Sequence, residues 1–266
     1  HPGKFFVPQL ETGQVADPWV TPQVFNNWKD YFRTGYSSTN NANVSQATES
    51  GSFALGITQT SQSGIALATG MNRWNAKASA ERKLNKNFTT GFSTNFSKTD
   101  IDKIPTGNDA ALAGVLGAPA SYNLKGYPYH VPGDPYTQIY YRSVAGYDNP
   151  YWAAENYIFK EKTDRFFGNG YINYAARLGS SMNLKVRYQF GLDSYTTHFQ
   201  DIFEYGHNGN TGMIDNYGIS SSVVNRPRLT RTVEKASLRS NPMACKTWDG
   251  SIAPEVQAEP IPIIIS

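Results

Sequence analysis

A single cysteine, Cys245, in 266 residues leaves no internal disulfide framework and no cysteine-based zinc site. No apolar run approaches the roughly 18 residues that a membrane helix needs, so any crossing of a membrane would be made by strands. A surplus of either charge is lacking too. The formal net charge is +3, and the segment from Arg226 onward carries six Lys or Arg against four Asp or Glu, leaving +1 for the rest. The clustered basic footprint of a nucleic-acid binder is missing, so no nucleic acid is expected as a partner. The four histidines, His1, His130, His198 and His207, are scattered and lack the i,i+4 spacing of a metal-binding helix. They read as solvated loop residues. A glycan-cleaving enzyme would need two carboxylates about 5 to 9 Å apart on neighbouring strand ends. Asp100 and Asp193 are the tempting pair, and nothing in the sequence joins them. No enzyme, cofactor or metal is expected.

What the chain has in quantity is aromatic residues, with Tyr 17, Phe 14 and Trp 5, beside 23 Gly and much Asn, Ser and Thr. That mixture favours strands and turns over helices, and the expectation is an all-β, antiparallel protein. One helix is expected first. Thr21 and Pro22 suit an N-cap and a first helical position, and Val24, Phe25, Trp28, Tyr31 and Phe32 follow at three- and four-residue spacing until Gly35.

After the helix the period changes to two. Phe53, Leu55 and Ile57 alternate with small or polar residues, as do Trp74, Ala76, Ala78 and Ala80, and then Phe88, Phe92 and Phe96. Later, Ile172, Tyr174, Ala176 and Leu178 oppose Tyr171, Asn173 and Arg177; Leu184, Val186, Tyr188, Phe190 and Leu192 oppose Lys185, Arg187, Gln189 and Asp193. Each strand has one apolar and one polar face.

Tight turns are expected at Glu49 to Gly51, Asn85 to Asn87 and Gly179 to Asn183. Much longer links are expected at Ser61 to Asn72, at Asp100 to Lys162 and after Gln200. Alternating short and long connections belong to a transmembrane barrel, with short periplasmic turns and long loops outside. Leu184 to Leu192 spans roughly 27 to 30 Å, which a tilt near 40° reduces to just over 20 Å, close to the apolar band of about 25 Å. A soluble β-rich carbohydrate-binding module has the same alternation and stays open as the alternative.

The motifs narrow the choice. Asn27, Trp28, Asp30, Phe32, Arg33, Thr34 and Gly35, then Asn43, Val44 and Ser45, then Gly64 and Ile65, occur in the order and form of the early barrel of SusC/RagA-like TonB-dependent outer-membrane transporters, which this stretch resembles. "GYDNPYWAAEN" (Gly146 to Asn156) and the following "TDRFFGNGYINYAARL" resemble the same family's Asn-Pro-Tyr-Trp loop and next strand. The resemblance runs from about Asn26 to Val224. Within it, "SQATES" (Ser45 to Ser50) departs from the family's Gly-Gly turn.

The resemblance implies an antiparallel transmembrane β-barrel fragment, about six strands of a larger plugged barrel of roughly 22 strands, with long extracellular loops. Residues 1–37 would form the first extracellular loop with its short helix, 38–224 the partial barrel, and 225–266 an aberrant or divergent tail that loses the dyad alternation. The tail reads as a frameshift, a chimeric junction, a fragmentary gene product or a divergent loop. With no initiator Met before "HPGKFF", the chain reads as a piece of a longer product.

The resemblance further implies location in the bacterial outer membrane, in contact with its lipid. Active import of oligosaccharides or peptides is implied, with a SusD-like surface lipoprotein as lid and TonB, reached through an N-terminal region, as energy source.

The best binding candidate is the aromatic stretch Tyr122 to Trp152. Tyr127, Tyr129 and Trp152 offer faces for sugar stacking, and Asp148 and Asn149 offer hydroxyl partners. The rings serve equally well to pack the loop itself. "DID" at Asp100 to Asp102 reads as a solvated strand end, with cation binding the lesser option, and "NGNTG" (Asn208 to Gly212) as a turn.

Overall fold

The computed structural model describes residues 1–12, 17–106, 111–141, 147–179, 182–208 and 214–235. In chain order the elements are β1 (Phe5–Phe6), α1 (Pro8–Thr12), β2 (Trp19–Val20), α2 (Asn27–Tyr31), β3 (Tyr36–Thr48), β4 (Gly51–Ser63), β5 (Gly70–Lys83) and β6 (Phe88–Lys103). They continue with α3 (Ala111–Gly117), β7 (His130–Val131), β8 (Asp134–Gln138), α4 (Pro150–Asn156), β9 (Ile158–Leu178), β10 (Met182–Phe203) and β11 (Ile214–Lys235). The protein is all-β in its framework. A seven-stranded antiparallel sheet has the order β11-β10-β9-β6-β5-β4-β3, and β1-β2 and β7-β8 are small separate ribbons. The main sheet is open, a meander in which every strand pairs with its neighbour in sequence once the insertion between β6 and β9 is set aside.

Seven strands stand where the sequence suggested about six, because β11 pairs with β10 along its whole length. That pairing passes Asn225, where the alternation in the sequence ends, and continues to Lys235. The links are shorter than expected. β4 reaches Ser63 and β5 starts at Gly70; β6 runs to Lys103 and β9 begins at Ile158. Asp100 and Asp102 therefore lie within a paired strand, opposite Lys162 and Lys160, where cross-strand charge complementarity replaces apolar alternation. Among the described residues no group of three or more His, Cys, Asp or Glu is placed to hold a metal ion.

The helix is also shorter. It is capped by Asn26, whose side chain accepts from the Lys29 backbone N–H at 3.0 Å, and it spans only Asn27–Tyr31. Thr21 is not the cap. The Phe25 N–H is bound to the Ala120 carbonyl at 2.7 Å, which holds the preceding segment extended and leaves Val24 89% exposed. Asn26 supplies the cap one turn from Tyr31, the ring that the fold buries.

The register sorts side chains by face. Phe53, Ala80, Phe92, Gly170 and Phe190 form one row; Ile57, Ala76, Phe96 and Phe166 form another; Ile172 lies opposite Tyr188. All are on one side of the sheet. This apolar face is open: Leu55 is 53% exposed, Ile57 48%, Phe92 46% and Tyr188 48%.

The buried apolar residues gather elsewhere, at the ends of the strands. Val7, Leu10, Tyr31, Ala66, Val115, Tyr122, Leu124 and Tyr140 form one core, drawn from 1–35, the β4–β5 link and the β6–β9 insertion. Every one of those segments meets the sheet at the same end. The connections at Glu49–Ser50, at 84–87 and after Leu178 are short and lie at the opposite end. Ser180 and Ser181 of the last are outside the described residues, as are 209–212 of "NGNTG".

Candidate functional site

Two surfaces have chemistry to offer: the polar face of the sheet and the loop cap at its end. On the polar face each strand contributes alternate residues, and they bond to one another across the sheet. Arg165 makes a bidentate pair with Asp193 (2.9 and 2.6 Å), Lys103 pairs with Glu161 at 2.8 Å, and the Arg73 guanidinium donates to the Thr99 hydroxyl at 3.2 Å. Hydroxyls meet in Thr39–Thr60 at 3.2 Å and Thr163–Thr197 at 2.9 Å. Exposed pairs of this kind contribute little to stability. They keep one face hydrophilic.

Near the short-turn end, the Tyr171 hydroxyl reaches across β6 to donate to the Glu81 carboxylate, and the Arg187 guanidinium lies 3.8 Å from the Tyr171 ring centre. The crossing requires Gly91. A Cβ there would sit 2.5 Å from the Tyr171 hydroxyl oxygen. Neither Gly91 nor this Glu81–Tyr171–Arg187 group was singled out from the sequence; the register alone brings together residues 81, 171 and 187.

The cap is held by polar side chains, Asn27 buried and Arg33 exposed. Asn27 donates to the Pro119 and Tyr122 carbonyls (3.1 and 2.9 Å) and accepts from the Leu124 N–H at 3.1 Å. Arg33 donates through Nε to the Gly64 carbonyl at 3.0 Å and through its second terminal nitrogen to the Thr69 carbonyl at 3.3 Å. Gly64 must be glycine, because a Cβ would lie 1.9 Å from the Thr69 hydroxyl oxygen. These contacts give the Asn27, Arg33 and Gly64 motif positions a structural job: they fasten the cap to the strand ends.

The five candidate binding residues divide between two clusters. Asp148, Asn149 and Trp152 lie together and are buried, with exposures of 6%, 1% and 0%. The Asp148 carboxylate accepts from the Gln138 side chain at 2.6 Å, the Asn208 N–H at 2.7 Å and the Tyr157 hydroxyl. Asn149 caps α4, accepting from the Tyr151 N–H at 2.9 Å, and donates to the Ile139 carbonyl at 2.8 Å. Trp152 donates through Nε1 to the Pro135 carbonyl at 2.6 Å. Tyr129 packs on this second core beside Tyr157 and Phe203 and donates to Glu155. Tyr127 stands apart, edge-on to Tyr122 at 5.0 Å in the first core. Gln138, which bonds Asp148, Asn149 and the Gly206 carbonyl, was invisible to sequence reasoning because a lone glutamine in a loop carries no spacing signal.

Two open clefts lie where cap and sheet meet. One of about 380 Å³ is lined by Arg33, Thr69, Asp102, Lys103, Phe159 and Lys160; its neighbour of about 410 Å³ lies beside Tyr36, Gln62 and Met71 and shares Thr69 and Asp102.

Burial pushes the Tyr31 and Tyr151 hydroxyls up to about 12 and raises Tyr122 as well. A tyrosine whose folded value exceeds its ordinary 10.0 leaves stability intact below that pH, and the stability is lost as pH rises towards the folded value. The cap should therefore lose its near-ultraviolet circular dichroism between about pH 10 and 12, together with late-appearing phenolate absorbance. Complete phenolate formation by about pH 10.5 with the signal intact would contradict this packing.

An open antiparallel sheet with an exposed apolar face, a hydrogen-bonded polar face and all long connections at one end defines a barrel-wall architecture. A solved structure with this fold is that of the RagAB peptide importer in its "closed-closed" state, with a TM-score of 0.55 over 77% of this chain at 18% sequence identity. The match takes in 24% of that chain, so the protein described here spans about a quarter of its length. No protein-family model and no curated protein matches the sequence.

Proposed function

We propose that this chain is part of the wall and outer loops of an outer-membrane TonB-dependent active transporter that imports oligosaccharides or peptides together with a SusD-like lipoprotein. The observation that carries the reading is the inverted distribution of polarity. The apolar row is exposed on an uncovered sheet face, while the opposite face carries mutually bonded polar groups, with Phe167, Tyr195 and Phe199 among them towards the loop end. Lipid satisfies the first and a water-filled lumen the second. The apolar row on β9 runs from Ala176 to Phe166, about 33 Å along the strand and about 25 Å at a tilt near 40°, and gives way to Asp164, Lys162 and Lys160 beyond it. Phe88 against Tyr174 (4.8 Å between ring centres) at the turn end and Trp74 at the loop end supply aromatic margins. The likeness to the RagAB peptide importer and the motif resemblance support the same reading. A soluble carbohydrate-binding module would need a second layer over the apolar face.

The import role assigns no bond-making or bond-breaking step to the chain; its work is to guide cargo. In this reading the aromatic loop carrying Tyr127 and Tyr129 lies on the cell surface, with Asp148, Asn149 and Trp152 holding its shape.

Orientation tests the proposal. In the longer protein, with Cys245 replaced by serine, a membrane-impermeant maleimide should label Tyr136→Cys on the cap in intact cells and should reach Lys86→Cys at a short turn only after the outer membrane is permeabilised. Equal labelling of both in intact cells, or the reverse order, would contradict it.

A further inference from the structure

We infer that the polar face carries a stacking site for a neutral sugar ring, built by Phe167, Tyr195, Arg165 and Asp193 at the loop end of the passage. This rests on the reading above that the polar face lines a water-filled passage, and it adds where on the wall cargo is held and which of the two cargo classes fits there. The register sets Phe167 opposite Asp193 and Arg165 opposite Tyr195, so four neighbouring side chains form a square across β9 and β10. The bidentate Arg165–Asp193 pair (2.9 and 2.6 Å) takes one diagonal, and the two rings take the other. Both rings are more than a third exposed, and the Arg165 guanidinium carbon lies 5.2 Å from the Phe167 ring centre.

The square has a definite height on the wall. Phe166, between Arg165 and Phe167 in the chain, ends the apolar row on the other face, and Asp164 follows it. Phe199 lies four residues beyond Tyr195 on the same face of β10, about 13 Å nearer the cap. A Cβ at Gly218 of β11 would collide with the Phe199 ring, so glycine there gives the ring room. Between Tyr195 and Phe199, the Thr163 and Thr197 hydroxyls share a hydrogen bond at 2.9 Å. Charge is balanced locally. The flanking positions Asn95, Ser97, Val224 and Ser222 are uncharged, and the next charge along these rows is Lys77, opposite Asn95.

A pyranose ring carries C–H bonds on its faces and hydroxyls around its edge. Aromatic faces suit the former, and planar donors and acceptors at the same height suit the latter. Arg165 spends its Nε–H and one terminal N–H on Asp193, which leaves its other N–H groups to meet hydroxyls. A square with no net charge exerts no long-range pull on ionic side chains, and a peptide offers no repeating flat C–H face. The third ring, nearer the cap, extends the same chemistry along the path of a chain of neutral sugars.

Binding is measured to the longer protein in detergent micelles. The probes are neutral hexasaccharides (xylohexaose, maltohexaose and mannohexaose) and an end-blocked hexapeptide of alternating serine and glycine. At least one sugar should bind about tenfold more tightly than the peptide, with less than about a twofold change between about 20 mM and about 500 mM salt. Phe167→Leu combined with Tyr195→Leu keeps apolar bulk, removes both rings and should weaken that binding by about tenfold or more. Phe167→Tyr combined with Tyr195→Phe keeps the rings and should stay within about threefold of the parent. Tyr195→Trp puts a fluorophore in the square, and saturation with the same sugar should move its emission to shorter wavelength by more than the parent's emission moves. That readout stays decisive where the leucine variant does not fold.

Binding of none of the sugars, which is expected if another segment of the longer protein covers the rings, would overturn the inference. So would equal binding of the peptide, equal affinities for the leucine and ring-retaining variants, or sugar binding with no added shift from Tyr195→Trp. Failure here leaves the cysteine-labelling order untouched, whereas a reversed labelling order removes the transporter reading itself.

Discussion

Tyr188→Lys is expected to lower the stability of the protein folded in lipid by about 2 to 4 kcal/mol, and Gln189→Lys to change it by less than about 1 kcal/mol. The two positions are adjacent on β10 and differ in the face they occupy. Tyr188 lies opposite Ile172 in the middle of the apolar face and is 48% exposed. Gln189 lies opposite Tyr171 and accepts from Arg187 Nε at 3.3 Å, so a further ammonium there stays among polar groups and water. An ammonium at Tyr188 would have to sit in hydrocarbon or drag water towards it. A soluble protein with a second layer over this face would also lose stability with lysine at Tyr188, so the loss is read in lipid and beside quenching by brominated acyl chains. Denaturant titrations in lipid vesicles give both numbers, and similar losses at the two positions would remove the assignment of faces.

Trp152→Ala should cost the loop cap about 3 to 5 kcal/mol. The indole is fully buried, edge-on to Tyr157 at 5.6 Å, and its N–H is spent on the Pro135 carbonyl at 2.6 Å. Its removal leaves a cavity beside Asp148, the carboxylate through which Gln138, Tyr157 and Asn208 are joined. Hydrogen exchange should therefore quicken at 129–141, 147–157 and 203–208 together, while the amides of β4 and β5 keep their protection. The same experiment bears on the binding role proposed for this loop. A Trp152 that served cargo by direct stacking would lose affinity on truncation with the loop's protection unchanged.

The sheet was legible in the sequence where the alternation involves apolar residues. Phe53 to Ile57 and Leu184 to Leu192 announce both the strand and the face because a period of two has one structural meaning. The strand ends were not legible. At Asp100 to Lys103 and Ile158 to Lys162 alternation persists in charge and not in hydropathy, so these residues read as loop although they pair with one another in register. β11 was hidden for a related reason: its pairing with β10 continues through Pro227 and Arg228, where composition suggested a break.

The helix was legible as an element and misread at its start, since Asn26 competes with Thr21 as a cap and the extended path of Phe25 decides between them. Within the loop, sequence drew attention to Asp148, Asn149 and Trp152 as residues of consequence. Their burial depends on contacts with Gln138 and Asn208, ten and 60 positions away from Asp148, which no local pattern records.

Contact between the apolar face and lipid can be read with brominated acyl chains. A fluorophore is placed on Val186→Cys or on Arg187→Cys in the Cys245→Ser background, and the protein is folded into vesicles with and without bromine on the acyl chains. Strong quenching is expected at 186 and little at 187, since consecutive residues of a strand point to opposite faces. Equal quenching at the two positions, or stronger quenching at 187, would contradict it.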